Sequence, residues 1–246
     1  MDEKSAFEEI ECKLTHQPLQ HLLIINPNNP STLSFTPKQL NTWAQKLGDG
    51  AYLIVGEAFI DSSPAQSLLP YLSNTPLSVT PLSEMPTNNI IVLRSFGKFF
   101  GLAGIRLGFV FAAQQILKKF EKQIPLWSIN GPALYLASKA FADHDWQTEH
   151  QAKLAVSEQL TTELFRPLEH EKCFHQRLCS SYALPKKLAL TIYKHFYEAG
   201  ILLRLIDISE DKSILRIGRI KAKDTLAQDR IRSVFSSLIT TQQSAR

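Results

Sequence analysis

Arg94-Ser-Phe-Gly-Lys-Phe-Phe-Gly-Leu-Ala-Gly-Ile-Arg-Leu-Gly-Phe109 is the most unusual stretch of this 246-residue chain. The chain has only ten glycines, yet Gly97, Gly101, Gly104 and Gly108 fall within twelve residues. Among them sit a hydroxyl at Ser95, an amine at Lys98 and a guanidinium at Arg106. Glycines let backbone approach a ligand closely, and a hydroxyl with a guanidinium makes a clamp for phosphate. A lysine three residues after the hydroxyl, in apolar surroundings, suits covalent bonding to a carbonyl compound. Without further information the stretch reads equally as a glycine-rich loop beside a solvated lysine. The G-x-x-x-x-G-K-[ST] order of a P-loop is absent.

The flanks predict strands. Ile90–Arg94 (IIVLR) reads as a buried strand, and Leu107–Ala112 (LGFVFA) as its antiparallel neighbour, because the connection is too short for a crossover helix. Upstream, Leu19–Asn26 and Ala51–Val55 read as buried strands. Thr36-Pro37 supplies an N-cap and a first-turn proline for a helix to about Leu47. Helices are predicted at Gln114–Lys122, Gly131–Ala142 and Trp146–Phe165. Beyond Arg166-Pro167 come irregular strand-like residues to Tyr182 and a helix from Pro185 to Ala199. Strands at Ile201–Ile206 and Ser213–Ile217 and a helix from Ala222 to Leu238 complete the chain. The pattern is α/β, with a large domain over 1–165 and a small α+β domain over 166–246. Asn26–Thr32, Gly56–Asp61 and Ser95–Gly108 each end a predicted strand. Open α/β sheets bind ligands beyond the carboxyl ends of their strands, so these segments are expected to form one site.

Composition narrows the function classes. The chain is 44% hydrophobic and 20% charged, with net charge +4, close to the globular average. From Arg204 to Arg246, nine Lys/Arg face five Asp/Glu. They are interleaved and lack an aromatic stacking platform, so a solvated helix face is expected and nucleic-acid binding is not. No apolar run is long enough for a membrane helix. The acidic start MDEKSAFEEIE is the reverse of a signal peptide, and a cytoplasmic location is expected. Cys12, Cys173 and Cys179 are odd in number and lack zinc-type spacing. His144, His150, His170 and His175 show no metal spacing either, so no metal is expected.

SFGKFFGLAGIRLGF, preceded in order by INPNNPST and VGEAFID, resembles the fold-type-I pyridoxal-phosphate enzymes of the class I/II aminotransferase group. S-F-x-K-F-F and Glu-Ala-Phe are most similar to threonine-phosphate decarboxylases of cobalamin biosynthesis, with histidinol-phosphate aminotransferases as near relatives. PLWSINGPALYLASKA, YEAGILLRL and SILRIGRI continue the resemblance. It implies an aspartate aminotransferase-like large domain, incomplete at its N-terminus, and pyridoxal 5'-phosphate as cofactor. It implies Lys98 as the lysine that bonds to the cofactor and moves protons, and Ser95 and Arg106 as holders of its phosphate. Asn29 is implied as the partner of its phenolic oxygen. Arg216 is implied at the substrate carboxylate and Arg204 at a substrate phosphate. Read from the residues alone, both arginines are equally surface salt-bridge partners, and Asn29 a turn residue. The implied reaction is decarboxylation of L-threonine O-3-phosphate to an aminopropanol phosphate. Histidinol-phosphate-type transamination, or a catalytically inactive remnant or split subunit, are the alternatives.

Three departures qualify this. Gly56 stands where the family has the aspartate that keeps the cofactor's ring nitrogen protonated, and Glu57 is expected to point to the opposite face. Gly97 replaces a hydroxyl residue before the lysine, at a cost of about 1 kcal/mol for a lost hydrogen bond. Only 25 residues, none of them glycine, precede Asn26, where the family carries about a third of its fold, including the phosphate-cradling helix N-terminus and a ring stacked on the cofactor. A small phosphorylated amino acid as substrate, and a homodimer or a missing N-terminal partner segment, are the expected partners.

Overall fold

The computed structural model describes residues 3–16, 20–72, 87–169 and 172–244. The chain divides into two compact units, one of residues 1–29 and 33–144, the other of residues 30–32 and 145–246.

The first unit is built on strands β1 (His21–Ile25), β2 (Tyr52–Gly56), β3 (Ile90–Ser95) and β4 (Gly108–Ala112), adjacent in that order. β1, β2 and β3 run parallel, and β4 is antiparallel to β3 as its short connection requires. Strand alternation sends Ile24, Leu53, Val55, Ile90 and Val92 into one core. Helix α2 (Pro37–Lys46) covers it, placing Leu40, Trp43 and Ala44 inside. α2 starts where Thr36 and Gln39 form a reciprocal capping box with proline in the first turn. Helix α1 (Glu3–His16) joins the same core through Ala6, Phe7, Ile10 and Leu14. No helix is expected there from the acidic start, whose charges mask a stripe at helical spacing. Trp43 links the two helices: its ring lies 5.4 Å from that of Phe7, and its Nε1 donates to Glu11 at 2.7 Å. Helices α3 (Gln114–Glu121) and α4 (Gly131–Ala142) complete the unit.

The second unit contains helix α5 (His144–Leu164), strands β5 (Lys172–Gln176) and β6 (Cys179–Pro185), helix α6 (Lys186–Glu198), strands β7 (Arg204–Asp207) and β8 (Lys212–Gly218), and helix α7 (Thr225–Ser244). Its antiparallel sheet has the order β5-β6-β8-β7. Tyr182, Leu184, Leu215 and Ile217 pack with Phe196 of α6 and Phe235 of α7 in one core, closed by Phe165. The residues read as irregular before Tyr182 are a hairpin of β5 and β6, with Arg177 and Leu178 between the paired residues Gln176 and Cys179. Hairpin turns favour glycine or asparagine, and neither is present. Arg219 holds the turn instead. Its guanidinium donates to the carbonyls of Gln176, Arg177 (2.9 Å) and Cys179 (2.8 Å) and to Ser180 Oγ (2.8 Å).

Charge-assisted hydrogen bonds contribute about 1.5–3 kcal/mol each. Arg219→Lys keeps the charge and loses the fork, and it is expected to cost at least that much in urea unfolding of the second unit. A loss below about 0.5 kcal/mol, the usual size of a neutral surface change, would show that the turn holds itself.

Candidate active site

Parallel pairing aligns Ile25 with Gly56 and Gly56 with Leu93. The segments 26–29, 57–61 and 96–98 therefore leave the sheet at one end. Two bonds extend the ladders past the strands: Asn26 N–H donates to Gly56 O at 3.0 Å, and Glu57 N–H donates to Leu93 O at 2.7 Å. Asn26 is fully buried. Its side chain acts as a strand partner for Phe35, accepting from N–H at 2.7 Å and donating to C=O at 3.0 Å. With Asn28 N–H donating to Leu33 O (2.7 Å), the loop that carries the half-buried Asn29 is tied down on both sides. The sequence reading assigned no role to Asn26, and its place as last residue of an apolar run was the available signal.

The loop after β3 is anchored by its phenylalanines. Phe96, Phe99 and Phe100 are buried, and Phe96 stacks on Phe100 at 4.5 Å and meets Phe141 edge-on at 5.3 Å. Lys98, between them, is turned out and exposed, with Nζ 5.7 Å from the centroid of Phe59. Lys98 is thus more open than the apolar surroundings expected for it, and residues 101–104 of the loop are exposed as well. Phe96 N–H donates to Leu107 O at 3.2 Å, and Ser95 pairs with Gly108. This brings the approach to β4, with Arg106, alongside Ser95. Arg106 is exposed and adopts φ 55°, ψ 50°, a left-handed conformation that costs a non-glycine residue about 1–2 kcal/mol. Such strain is concentrated at ligand sites.

Gly56, Leu93 and Ser95 share one face of the sheet, and Glu57 and Arg94 share the other. Glu57 is fully buried and fully engaged. Its carboxylate accepts from Leu68 N–H (2.7 Å), Ser67 Oγ (2.7 Å) and Arg94 Nη1 (3.1 Å). Arg94 also donates to Asp61. Both carboxylates that follow Gly56 in its motif are therefore committed to Arg94. Burial raises the pKa of Glu57, outweighing the Leu68, Ser67 and Arg94 hydrogen bonds that pull it down.

The two glycine departures differ in what surrounds them. A Cβ on Gly97 would come within 2.8 Å of Ala103 Cα, so the loop has closed over the absent side chain. A Cβ on Gly56 would meet Ile25 Cδ1 at 2.8 Å, the free end of a partly exposed side chain that can turn aside.

In the second unit, Arg204 of β7 is paired directly with Arg216 of β8. The register sets the two cationic side chains next to each other on one face of the sheet. Residues 204 and 216 look unrelated in the chain, and only the strand register sets them opposite each other.

A family model described as aminotransferase class I and II matches residues 2–179. The chain belongs to this family of pyridoxal-phosphate enzymes. It is 37% identical over 215 residues to a threonine-phosphate decarboxylase of Pseudomonas aeruginosa, covering 85% of this chain and 58% of that protein. It is 34% identical over 182 residues to one of a Sinorhizobium species, covering 68% and 51%. The chain thus spans a little over half of the length of these relatives. The crystal structure of histidinol-phosphate aminotransferase from Sinorhizobium meliloti, in complex with pyridoxal-5'-phosphate, matches 94% of this chain and 61% of that one, with TM-score 0.76 and 20% identity. That likeness shows the fold.

An exposed lysine on a glycine-rich loop, with a hydroxyl and a strained arginine at the same sheet end, fits the aldehyde and phosphate ends of pyridoxal phosphate. Gly56, on the sheet face shared with Ser95, brings no carboxylate to meet the ring-nitrogen end.

Because its pKa is raised in the folded chain, Glu57 contributes fully to stability below its ordinary value of 4.5. That contribution is lost as pH rises through the raised folded value. The stability of the wild type relative to Glu57→Gln is therefore expected to decline from pH 4.5 towards neutrality in urea unfolding. A relative stability that increases over that window contradicts the assignment.

Proposed function

We propose that this chain is the greater part of a pyridoxal-phosphate-dependent decarboxylase acting on L-threonine O-3-phosphate or a close phosphorylated amino acid. The observation that carries this reading is the pairing of Arg204 with Arg216 on one face of the sheet, two cationic side chains of the kind that bind a carboxylate and a phosphate. The likeness to threonine-phosphate decarboxylases supports the same substrate class. In this reading Arg216 takes the carboxylate and Arg204 the phosphate.

Bound pyridoxal phosphate supplies an electron sink next to the substrate's Cα. Ser95 and Arg106 would hold its phosphate, Asn29 would donate to its phenolic oxygen, and Lys98 would bind it covalently. The neutral Lys98 amine would be the base at Cα, and its protonated form the acid. In decarboxylation the bond from Cα to the carboxylate breaks, CO2 departs, and a proton from Lys98 replaces it on Cα. The product is an aminopropanol phosphate. Proton removal from Cα by Lys98 would instead begin transamination, the reaction of the histidinol-phosphate aminotransferases.

Gly56 weakens either reaction, because a ring nitrogen without a neighbouring carboxylate stays less protonated. We also propose a cytoplasmic location, and the homodimeric assembly, or a missing N-terminal partner segment, that the family resemblance implies. Leu126 and Trp127, 89% and 93% exposed, provide an apolar segment of the kind that an interface covers.

CO2 release and amino transfer from phosphothreonine, measured on cofactor-loaded protein, test the reading. Release without transfer is expected, and transfer without release would contradict it. Gly56→Asp, for which Ile25 can make room, is expected to raise the rate on the order of tenfold. Gly97→Ser, which must displace the Ala103 backbone, is expected to lower it. No gain in loaded Gly56→Asp protein would count against the role given to position 56. Arg204→Gln is expected to weaken phosphothreonine binding, as read by calorimetry.

A further inference from the structure

Far from the glycine-rich loop in sequence, β5 forms an edge of the second unit's sheet. Its alternation sets Cys173 and His175 on one face. Glu169 follows the short 3-10 turn Arg166–Leu168 and reaches the same place. One donor atom from each residue, a carboxylate oxygen, Sγ and an imidazole nitrogen, lies within 4.8 Å of the other two. We propose that Glu169, Cys173 and His175 bind a zinc ion or another borderline-soft divalent cation.

Sulfur, nitrogen and carboxylate oxygen together make a donor set that suits zinc, each at about 2.0–2.3 Å from the metal. Tetrahedral ligands at those lengths lie roughly 3.3–3.9 Å apart, so the three side chains close by about 1 Å on binding. A fourth position is left for water or a small ligand. The imidazole is held in place by hydroxyl groups: Nδ1 lies 2.9 Å from Ser180 Oγ and 3.4 Å from Thr162 Oγ1. Burial and the Arg219 guanidinium hold His175 below its ordinary pKa, so the ring is neutral and able to ligate. The same guanidinium has a counter-charge in Glu158, 3.8 Å away. Burial and Glu169 hold the Cys173 thiol protonated, and that proton leaves as the cation binds. The ion would clip the segment after α5 to edge strand β5. Glu-x3-Cys-x-His is not a zinc-finger spacing, so the linear pattern gave no sign of it. The site is independent of the decarboxylase reading.

The test is a cobalt titration of the chelator-treated full chain carrying Cys12→Ser, since Cys12 and His16 form a second thiol–imidazole pair at 3.6 Å. One Co2+ per chain is expected, with a thiolate-to-cobalt charge-transfer band that Zn2+ removes. Cys173→Ser is expected to abolish the band, and His175→Ala to weaken binding about tenfold or more. Zinc is expected to raise the thermal midpoint of the Cys12→Ser chain and not that of Cys173→Ser. If Cys173→Ser does not fold, Glu169→Gln and His175→Ala carry the comparison. No band, a band that persists in Cys173→Ser, or affinity unchanged in both His175→Ala and Glu169→Gln would overturn the site.

Discussion

A carboxylate sealed from water sits just past the end of the second strand of the parallel sheet, and the groups that hold it decide what its neighbours can do. Glu57 accepts from Ser67, Leu68 and Arg94, and Arg94 reaches on to Asp61. An unpaired charge in that position would be strongly destabilising, so the set is kept or lost together. It also fixes direction. With Glu57 and Arg94 on the inner face, alternation places Gly56 and Ser95 on the opposite one. The glycine-rich loop inherits that orientation through the pairing of β3 with β4, and Lys98 emerges at the open end of the sheet.

That division of faces keeps the Glu57 carboxylate away from the face that Gly56 occupies. Two acids lie within five residues of Gly56, and both are engaged with Arg94. The space a side chain would need is occupied by the tip of Ile25, a movable group. Position 97 is different, because backbone has moved in against it. One departure from the family pattern is therefore reversible in place, and the other is built into the loop.

Much of the first unit was legible. The four strands, the antiparallel turn of the last one and the capped helix α2 were marked by apolar runs, a short connection and Thr36-Pro37. Helix α1 was not, since its apolar stripe is hidden among acids. The β5–β6 hairpin was not either, because Arg219, more than forty residues downstream of Gln176, does the work of a turn residue. Site chemistry followed the same rule. Ser95, Lys98 and Arg106 stand in one linear motif and were readable. The opposition of Arg204 to Arg216, and the meeting of Glu169 with Cys173 and His175, depend on strand register and alternation. Lys98 stands out in the motif as an amine among glycines, but its openness to solvent depends on how three phenylalanines anchor the loop around it.

The central claim is that the sheet end still presents Lys98 to pyridoxal phosphate. Adding the cofactor to purified protein, reducing with borohydride and mapping the modified lysine by mass spectrometry tests it directly. The structure predicts a single reducible adduct at Lys98, accompanied by a yellow absorbance band before reduction and lost in Lys98→Ala. An adduct spread over surface lysines, or none at Lys98, would contradict it.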